Sequence, residues 1–424
     1  MNCSDGPRAG NGRSVPPAER GSAPAGEAPG VPRHRPLRVL CLNATAELGG
    51  TDTDLVTMIR ALDRAAFEPV VVLPHPGPLD EAYRALDVEV RYLPLRLPGR
   101  HGRLTQQLRH LAAGTRGVAR LAALIDRERI DLVYCNSLLA LPGAPAARLA
   151  GRPCVVHSGE LYDRPRPIAA LLYHAAGALA ERIIVSSETV RRRFPAWCRS
   201  RVHTIYNGID LQRFRPDCSG AEVRRACGFA PDAPVAGFVG RLVPWKGPDR
   251  FLEACARVAQ AYPPARFLLV GSTLAAYTGY AERLERSAAE LGLSGRVAFR
   301  LNRTDVPQHL AAMDVFVHAS VRPEPFGIVV IEAMAAGRPV IATAAGGVLE
   351  IIDHPDAGVL VPPGDVEAMA AAMLALLRDG SRRARLGETA RRLALERYDI
   401  RMVIQRIEAI FRAAAGSRAG RRPG

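Results

Sequence analysis

Val315-Phe316-Val317-His318-Ala319 and, five residues on, Glu324-Pro325-Phe326-Gly327-Ile328-Val329-Val330-Ile331-Glu332 are the stretches on which the reading of this chain turns. The first is a short run of β-branched and aromatic residues and reads as a strand. The second holds two carboxylates, with seven residues between them, around an apolar run. Proline is favoured at the first position of a helix, so the spacing predicts a helix opening at Pro325. The amides of Phe326, Gly327 and Ile328 then have no partner inside the helix. They form an anion site at the positive end of its dipole, and Gly327 lets a ligand approach the backbone closely. Glu332 falls about two turns further on, among apolar residues, where a carboxylate is costly unless a hydroxyl or a cation meets it. An ordinary buried ion pair is the alternative for that residue.

Outward from this stretch, short β-branched runs alternate with helical patterns from Leu37 onward. Residues 37–44, 69–73, 88–93, 131–136, 153–158 and 182–187 form one group of strands. Residues 235–240, 266–271, 297–301, 315–320 and 339–344 form a second. Alternation of this kind implies an α/β fold with parallel sheets and helices on both faces. Two successive groups imply two doubly wound, Rossmann-like domains, at residues 36–205 and 206–396, joined near Tyr206-Asn207-Gly208-Ile209-Asp210. A terminal helix over 397–415 is expected to cross back onto the first domain, with a basic tail at 416–424. Residues 1–35 are rich in Gly, Pro, Ala and Ser without hydrophobic periodicity and read as a disordered tail. They lack the apolar segment of a secretory signal.

The 424 residues carry a net charge of +15. Such a balance attracts phosphates, nucleic acid or anionic membranes without choosing among them. No apolar run is long enough to span a bilayer. Eight Cys occur without a C-x-x-C pair, so neither a zinc site nor a disulfide framework is indicated, and a reducing cytoplasm fits. Among 57 basic residues Lys246 is the single lysine. A compact ammonium is not interchangeable with a guanidinium, and Lys246 sits in Gly240-Arg241-Leu242-Val243-Pro244-Trp245-Lys246-Gly247.

In open α/β sheets ligands bind beyond the carboxyl ends of the strands. Four motifs fall there: Gly49-Gly50, His157, Gly240-Arg241 and Glu324. Two facing sheets would gather them around one interdomain cleft. Gly50 reads as part of a tight turn beside a phosphate or an acceptor, and equally as a plain strand-to-helix turn. His157 ends an apolar strand at a polar exit and is placed to hydrogen-bond a sugar. Arg241 and Lys246 flank a short turn from which both can reach one diphosphate, although a solvated basic loop would look the same. Gly346-Gly347-Val348-Leu349-Glu350 reads as another turn into a helix at the cleft. Asp52-Thr53-Asp54 imitates a metal-binding D-x-D, but acidic residues in a first helical turn complement the dipole and need no metal. No metal ligand is assigned. Residues 91–130 hold nine Arg against Asp126 and Glu128, interspersed with Leu95, Leu97, Leu104, Leu108 and Leu111. A solvated helix surface is the preferred reading, and contact with anionic lipid the alternative.

Together these residues resemble the GT-B superfamily of nucleotide-sugar glycosyltransferases, in particular the retaining enzymes of family 4. The resemblance covers about residues 36–415. It rests on the E-x7-E pattern from Glu324 to Glu332, the Gly-Arg-Leu…Lys-Gly loop and the Asn207-Gly208-Ile209-Asp210 junction. It implies a GT-B fold with an acceptor-binding N-terminal domain and a donor-binding C-terminal domain. Glu332 would bind the donor's ribose hydroxyls. Glu324 and the amides of Phe326, Gly327 and Ile328 would hold the transferred sugar and the distal phosphate. Arg241 and Lys246 would neutralise the leaving diphosphate, Gly50 would lie near that phosphate or the acceptor, and His157 would contact the reacting sugar.

The implied enzyme is a bacterial, cytoplasmic, metal-independent hexosyltransferase without a cofactor, with a peripheral position at the inner face of the membrane as an option. Its donor is a nucleotide-diphosphate sugar, UDP-sugar ahead of GDP-sugar. Its acceptor is a hydroxyl of a glycan, a lipid-linked intermediate or a small metabolite. Asn136 stands where many relatives carry His, and Ser158-Gly159-Glu160 replaces a commoner Asp-containing turn, so acceptor identity stays open. A GT-B epimerase or sugar-phosphate synthase is the rival enzyme. A basic nucleic-acid-binding protein is the non-enzyme rival. No helix-turn-helix, RNA-binding sheet motif or zinc finger is readable, aromatics are 5%, and nucleic acid is not expected as a partner.

Overall fold

The computed structural model describes residues 35–47, 50–94, 104–162, 166–273 and 277–419. The expected tail at 1–34, Gly49, the Leu95–Leu97 stretch and residues 420–424 lie outside the described residues. So do the side chains of 50–52 and of 104–114.

Two all-parallel sheets form the frame. The first contains β1 (Leu37–Leu42), β2 (Phe67–Leu73), β3 (Glu89–Tyr92), β4 (Leu132–Cys135), β5 (Cys154–Ser158), β6 (Arg182–Val185) and β7 (Val202–Thr204). The second contains β8 (Val235–Arg241), β9 (Arg266–Ser272), β10 (Val297–Leu301), β11 (Val315–His318), β12 (Val340–Thr343) and β13 (Val359–Val361). Their spatial orders are β3-β2-β1-β4-β5-β6-β7 and β10-β9-β8-β11-β12-β13. Both are doubly wound, with the order reversing between β1 and β4 and between β8 and β11. Ligand crevices open at such switch points.

The strands read from sequence are all present, each end within two residues of expectation. The Val/Ile/Leu runs of the central strands reflect burial on both faces by helices. β7 and β13 were not among the expected strands. Each is three residues long, too short for a period to register.

The chain passes from the first sheet to the second through Ile205–Asp210 and returns through Tyr398-Asp399. The two crossings lie side by side: the Ile209 amide donates to the Tyr398 carbonyl (2.8 Å) and the Ile400 amide to the Ile209 carbonyl (3.1 Å). Helix Ile400–Ala419 then packs on the first sheet. Its Ile404, Ile407 and Phe411 share a core with Val39, Leu55 and Tyr134. The Phe411 ring stands 5.3 Å from that of Tyr134 and 5.9 Å from that of Phe67, edge-on in both cases. Edge-to-face pairs of this kind add about 0.5–1.5 kcal/mol beyond burial, so the return helix is an integral part of the first half.

Candidate active site

The second switch point is built by β8, β11 and the loop after β11. The expected helix start at Pro325 is not observed. The helix runs from Ile328 to Ala335, with Gly327 as its cap at φ +119°. Two contacts hold 324–326 out of the helix. Glu324 pairs with Gly346, and its carbonyl accepts from the Gly347 amide (2.9 Å). Phe326 is buried, stacked on Tyr206 at 5.5 Å and edge-on to Tyr398 at 5.7 Å. Gly346 permits this approach. It sits at φ +68°, and a Cβ there would lie 2.2 Å from the Glu324 carbonyl oxygen, so only glycine fits. The amides of Phe326, Gly327 and Ile328 make no backbone hydrogen bond among the described residues. The orphan donors persist, supplied by a loop and a helix start together.

Glu324 is 4% exposed. Lys246 Nζ donates to both of its oxygens at 2.6 Å. His318 Nε2 lies 2.7 Å from Oε1, and the Ser320 hydroxyl donates to the same oxygen. Burial alone would raise this carboxyl, but Lys246 and His318 outweigh it and hold the group well below the usual carboxylate range. The sequence reading had Lys246 reaching for a diphosphate. Its ammonium is held on Glu324 and over the Trp245 ring (4.7 Å). Arg241 ends β8 half-buried and has no carboxylate partner among the described residues.

Glu332 is partly buried on helix 328–335 and takes no hydrogen bond from the described residues. Burial pushes its carboxyl up to about 7, against the pull of Arg213. It is the one charged residue on an otherwise apolar helix.

The first switch point carries a row of polar side chains. Leu42 pairs with Cys135 and Cys135 with Val156, so the next residues, Asn43, Asn136 and His157, lie abreast on one face of the pleat. Asn136 Nδ2 donates to Asn43 Oδ1 (3.0 Å), and Tyr134 Oη lies 2.6 Å from His157 Nδ1. Asn43 Nδ2 and His157 Nε2 are buried without a partner. Burial holds the His157 imidazole down at about 4, so it is neutral at physiological pH. Gly50 is the first residue of helix Gly50–Ala61. One turn on, Asp54 accepts a hydrogen bond from Asn207 at the interdomain junction. Asp54, Asn136, His157 and Asn207 line one small enclosed cavity. Asp54 therefore serves the seam between the halves.

Two family models match. "Glycosyltransferase Family 4" covers residues 48–213, and "Glycosyl transferases group 1" covers residues 221–393. A GDP-mannose-dependent alpha-(1-6)-phosphatidylinositol monomannoside mannosyltransferase of Mycolicibacterium smegmatis is 31% identical over 67% of this chain and 76% of its own. A D-inositol 3-phosphate glycosyltransferase of Salinispora tropica is 30% identical over 86% and 79%. The chain belongs to glycosyltransferase family 4.

Among solved structures, Anabaena HepE in complex with UDP-glucose superposes with a TM-score of 0.78 and 27% identity, over 89% of this chain and 100% of that one. The GT-B architecture expected from the resemblance is therefore the one observed. In this glycosyltransferase the halves also touch at one edge of the cleft. The Ser187 hydroxyl donates to the Pro325 carbonyl (2.5 Å). Glu350 accepts from the amides of Glu188 (2.8 Å) and Thr189 (2.9 Å) and from the Thr189 hydroxyl (2.9 Å). The sequence quoted Glu350 only as the end of a turn motif and left Tyr134, Asn43, His318 and Ser320 without roles. His318 lies within the strand that opened the reading. Its place in an otherwise apolar, fully buried strand gave no sign that its ring would turn towards Glu324.

Proposed function

We propose that this glycosyltransferase is retaining and metal-independent, and that it transfers a hexosyl group from a nucleotide-diphosphate sugar to an acceptor hydroxyl held by the N-terminal half. One observation carries the reading: each switch point ends in polar groups, cationic and amide on the C-terminal side and imidazole and carboxamide on the N-terminal side. On the C-terminal side these are the Lys246–Glu324–His318 cluster, Arg241 and the free amides at 326–328. On the N-terminal side they are His157 and Asn43.

In this reading Glu332 receives the ribose hydroxyls, which bond to a carboxyl that has no side-chain hydrogen bond of its own among the described residues. Glu324 and the amides hold the sugar and the distal phosphate. The bond between the anomeric carbon and phosphate oxygen breaks, and its electron pair leaves with the diphosphate. Arg241 and Lys246 stabilise that charge, as preorganised cations do in a water-poor site. The acceptor oxygen enters on the same face, and its proton passes to the departing phosphate oxygen. The products are a glycoside and a nucleoside diphosphate. His157, neutral and fixed by Tyr134, contacts the sugar at the reacting centre.

UDP-hexose is the first donor to test, since the Anabaena neighbour holds UDP-glucose. The mycolicibacterial relative uses GDP-mannose, so both nucleotides belong on the panel. Thermal shift against UDP-, GDP- and ADP-sugars names the nucleotide, because stabilisation grows with ligand over its dissociation constant. Glu332→Ala is expected to abolish the shift. Silence of the folded protein across the panel would sink the donor reading. Turnover with the identified donor should survive EDTA and yield glycoside with the donor's anomeric configuration. Free sugar as the main product would favour the epimerase or hydrolytic alternative.

A further inference from the structure

We propose that the outer face of helix Arg166–Leu179, with Leu149 and Trp197 beside it, docks on the surface of an anionic lipid bilayer. The helix carries no charged side chain after Arg166. Its inner face, including Tyr173 and Ala176, is buried in the core of the first half. Its outer face should then be polar, yet it presents Ile168 at 49% and Leu171 at 67% exposure. A helix that is apolar on all sides belongs in a core or against lipid. Next to it stands Trp197, 55% exposed, with its ring 6.2 Å from that of His174. Helix Gly143–Leu149 packs alongside and ends in Leu149, 69% exposed. Clustered exposed apolar side chains on a monomer mark an interaction surface.

Charge selects the occupant. Residues 143–152, 166–180 and 190–201 contain no Asp or Glu. Their exposed charges are Arg148, Arg166, Arg192, Arg193 and Arg199, while Arg201 spends its guanidinium on the Gly177 and Ala180 carbonyls that end the helix. Large exposed apolar groups and a tryptophan on segments whose exposed charges are all arginine match the headgroup region of an anionic bilayer. The described part of the basic 91–130 segment gives a different picture. There Leu121 and Leu124 are core residues, and Arg116, Arg120, Arg127 and Arg129 are exposed. Helix 166–179 also follows β5 directly, which places the patch beside the crest that bears His157.

The test is co-sedimentation of the full chain with phosphatidylcholine vesicles, with and without about 30% phosphatidylglycerol. Binding is expected only with the anionic lipid, weakening as salt rises from about 0.1 M to about 0.5 M. Ile168→Asn with Leu171→Asn keeps the charge constant and should weaken partitioning by about tenfold or more, with an unchanged melting temperature because both sites are exposed. Absence of pelleting with anionic vesicles at low salt would overturn the proposal. So would a double variant that pellets like the parent, since binding would then be a diffuse effect of net charge. Light scattering without lipid closes the last route: a dimer that the same double variant dissociates would assign the patch to a second copy and overturn it too.

Discussion

The buried carboxylate Glu324 sets the energetics of the donor side one residue at a time. Its charge is tolerable only because Lys246, His318 and Ser320 converge on it. Removing one partner of a buried pair typically costs about 3–5 kcal/mol, because the other charge stays behind uncompensated. Lys246→Ala should therefore destabilise the fold by that order as well as weaken nucleotide binding, and adding Glu324→Gln should restore part of the loss. A denaturant titration of the two variants decides this; an unperturbed midpoint for Lys246→Ala would mean that Glu324 simply takes up a proton. On the acceptor side, Tyr134 is 1% exposed and its hydroxyl has His157 Nδ1 as its neighbour. A buried phenol that accepted there would strand its own proton. It therefore donates, which leaves the proton of the neutral imidazole on Nε2. His157 then offers the substrate a hydrogen-bond donor and no base. Tyr134→Phe should release the tautomer, visible in the ring nitrogen shifts by NMR, and lower kcat by up to about tenfold, the worth of one such bond. An Nδ1-protonated ring in the parent would refute the assignment.

At the scale of elements, the fold was legible in the sequence and the site only in outline. Parallel, doubly buried strands advertise themselves by continuous apolar runs, so the two sheets could be read in order. The failures share one cause. Pro325 looked like a helix start because local preference is all a sequence shows. The stacked Tyr206–Phe326 pair and the Glu324–Gly346 bridge, which hold the loop out of the helix, join residues far apart in the chain. The Lys246–Glu324 contact likewise spans two loops of one switch point. Glu350 is the third case, since its partners are the first amides of helix Glu188–Arg191 in the other half. Charge-assisted bonds of this kind are worth about 1.5–3 kcal/mol together with their desolvation. Glu350→Ala should loosen the closed edge. We expect a larger radius of gyration in solution scattering and a raised KM, with a melting temperature close to the parent's. A variant with parental scattering and parental KM would show that the contact does not govern closure.

At the scale of the whole molecule, two carboxyls that lie apart respond to pH in the same direction. Asp54 at the seam and Glu332 in the donor half are each pushed up to about 7 by burial, from an unfolded value near about 4. A carboxyl raised on folding binds its proton more tightly in the native state, so its contribution to stability is complete below the unfolded pKa and is lost as pH rises through the folded one. His157 and His203, held below the ordinary histidine value, act in the opposite sense, but only below about pH 6.5, where the unfolded imidazole takes up its proton. Between about pH 6 and about pH 8 the carboxyls therefore dominate, and the melting temperature of the empty protein should fall by a few degrees. Donor binding should run the other way, because ribose hydroxyls bond best to an ionised Glu332. With UDP as the probe, the ligand-induced shift should grow over the same interval in which the empty protein softens. Asp54→Asn with Glu332→Gln should flatten the first trend, and Glu332→Gln alone should remove the second. Parallel pH profiles with and without UDP would break the link between Glu332 and the nucleotide, while leaving the seam assignment of Asp54 to stand on the first trend alone.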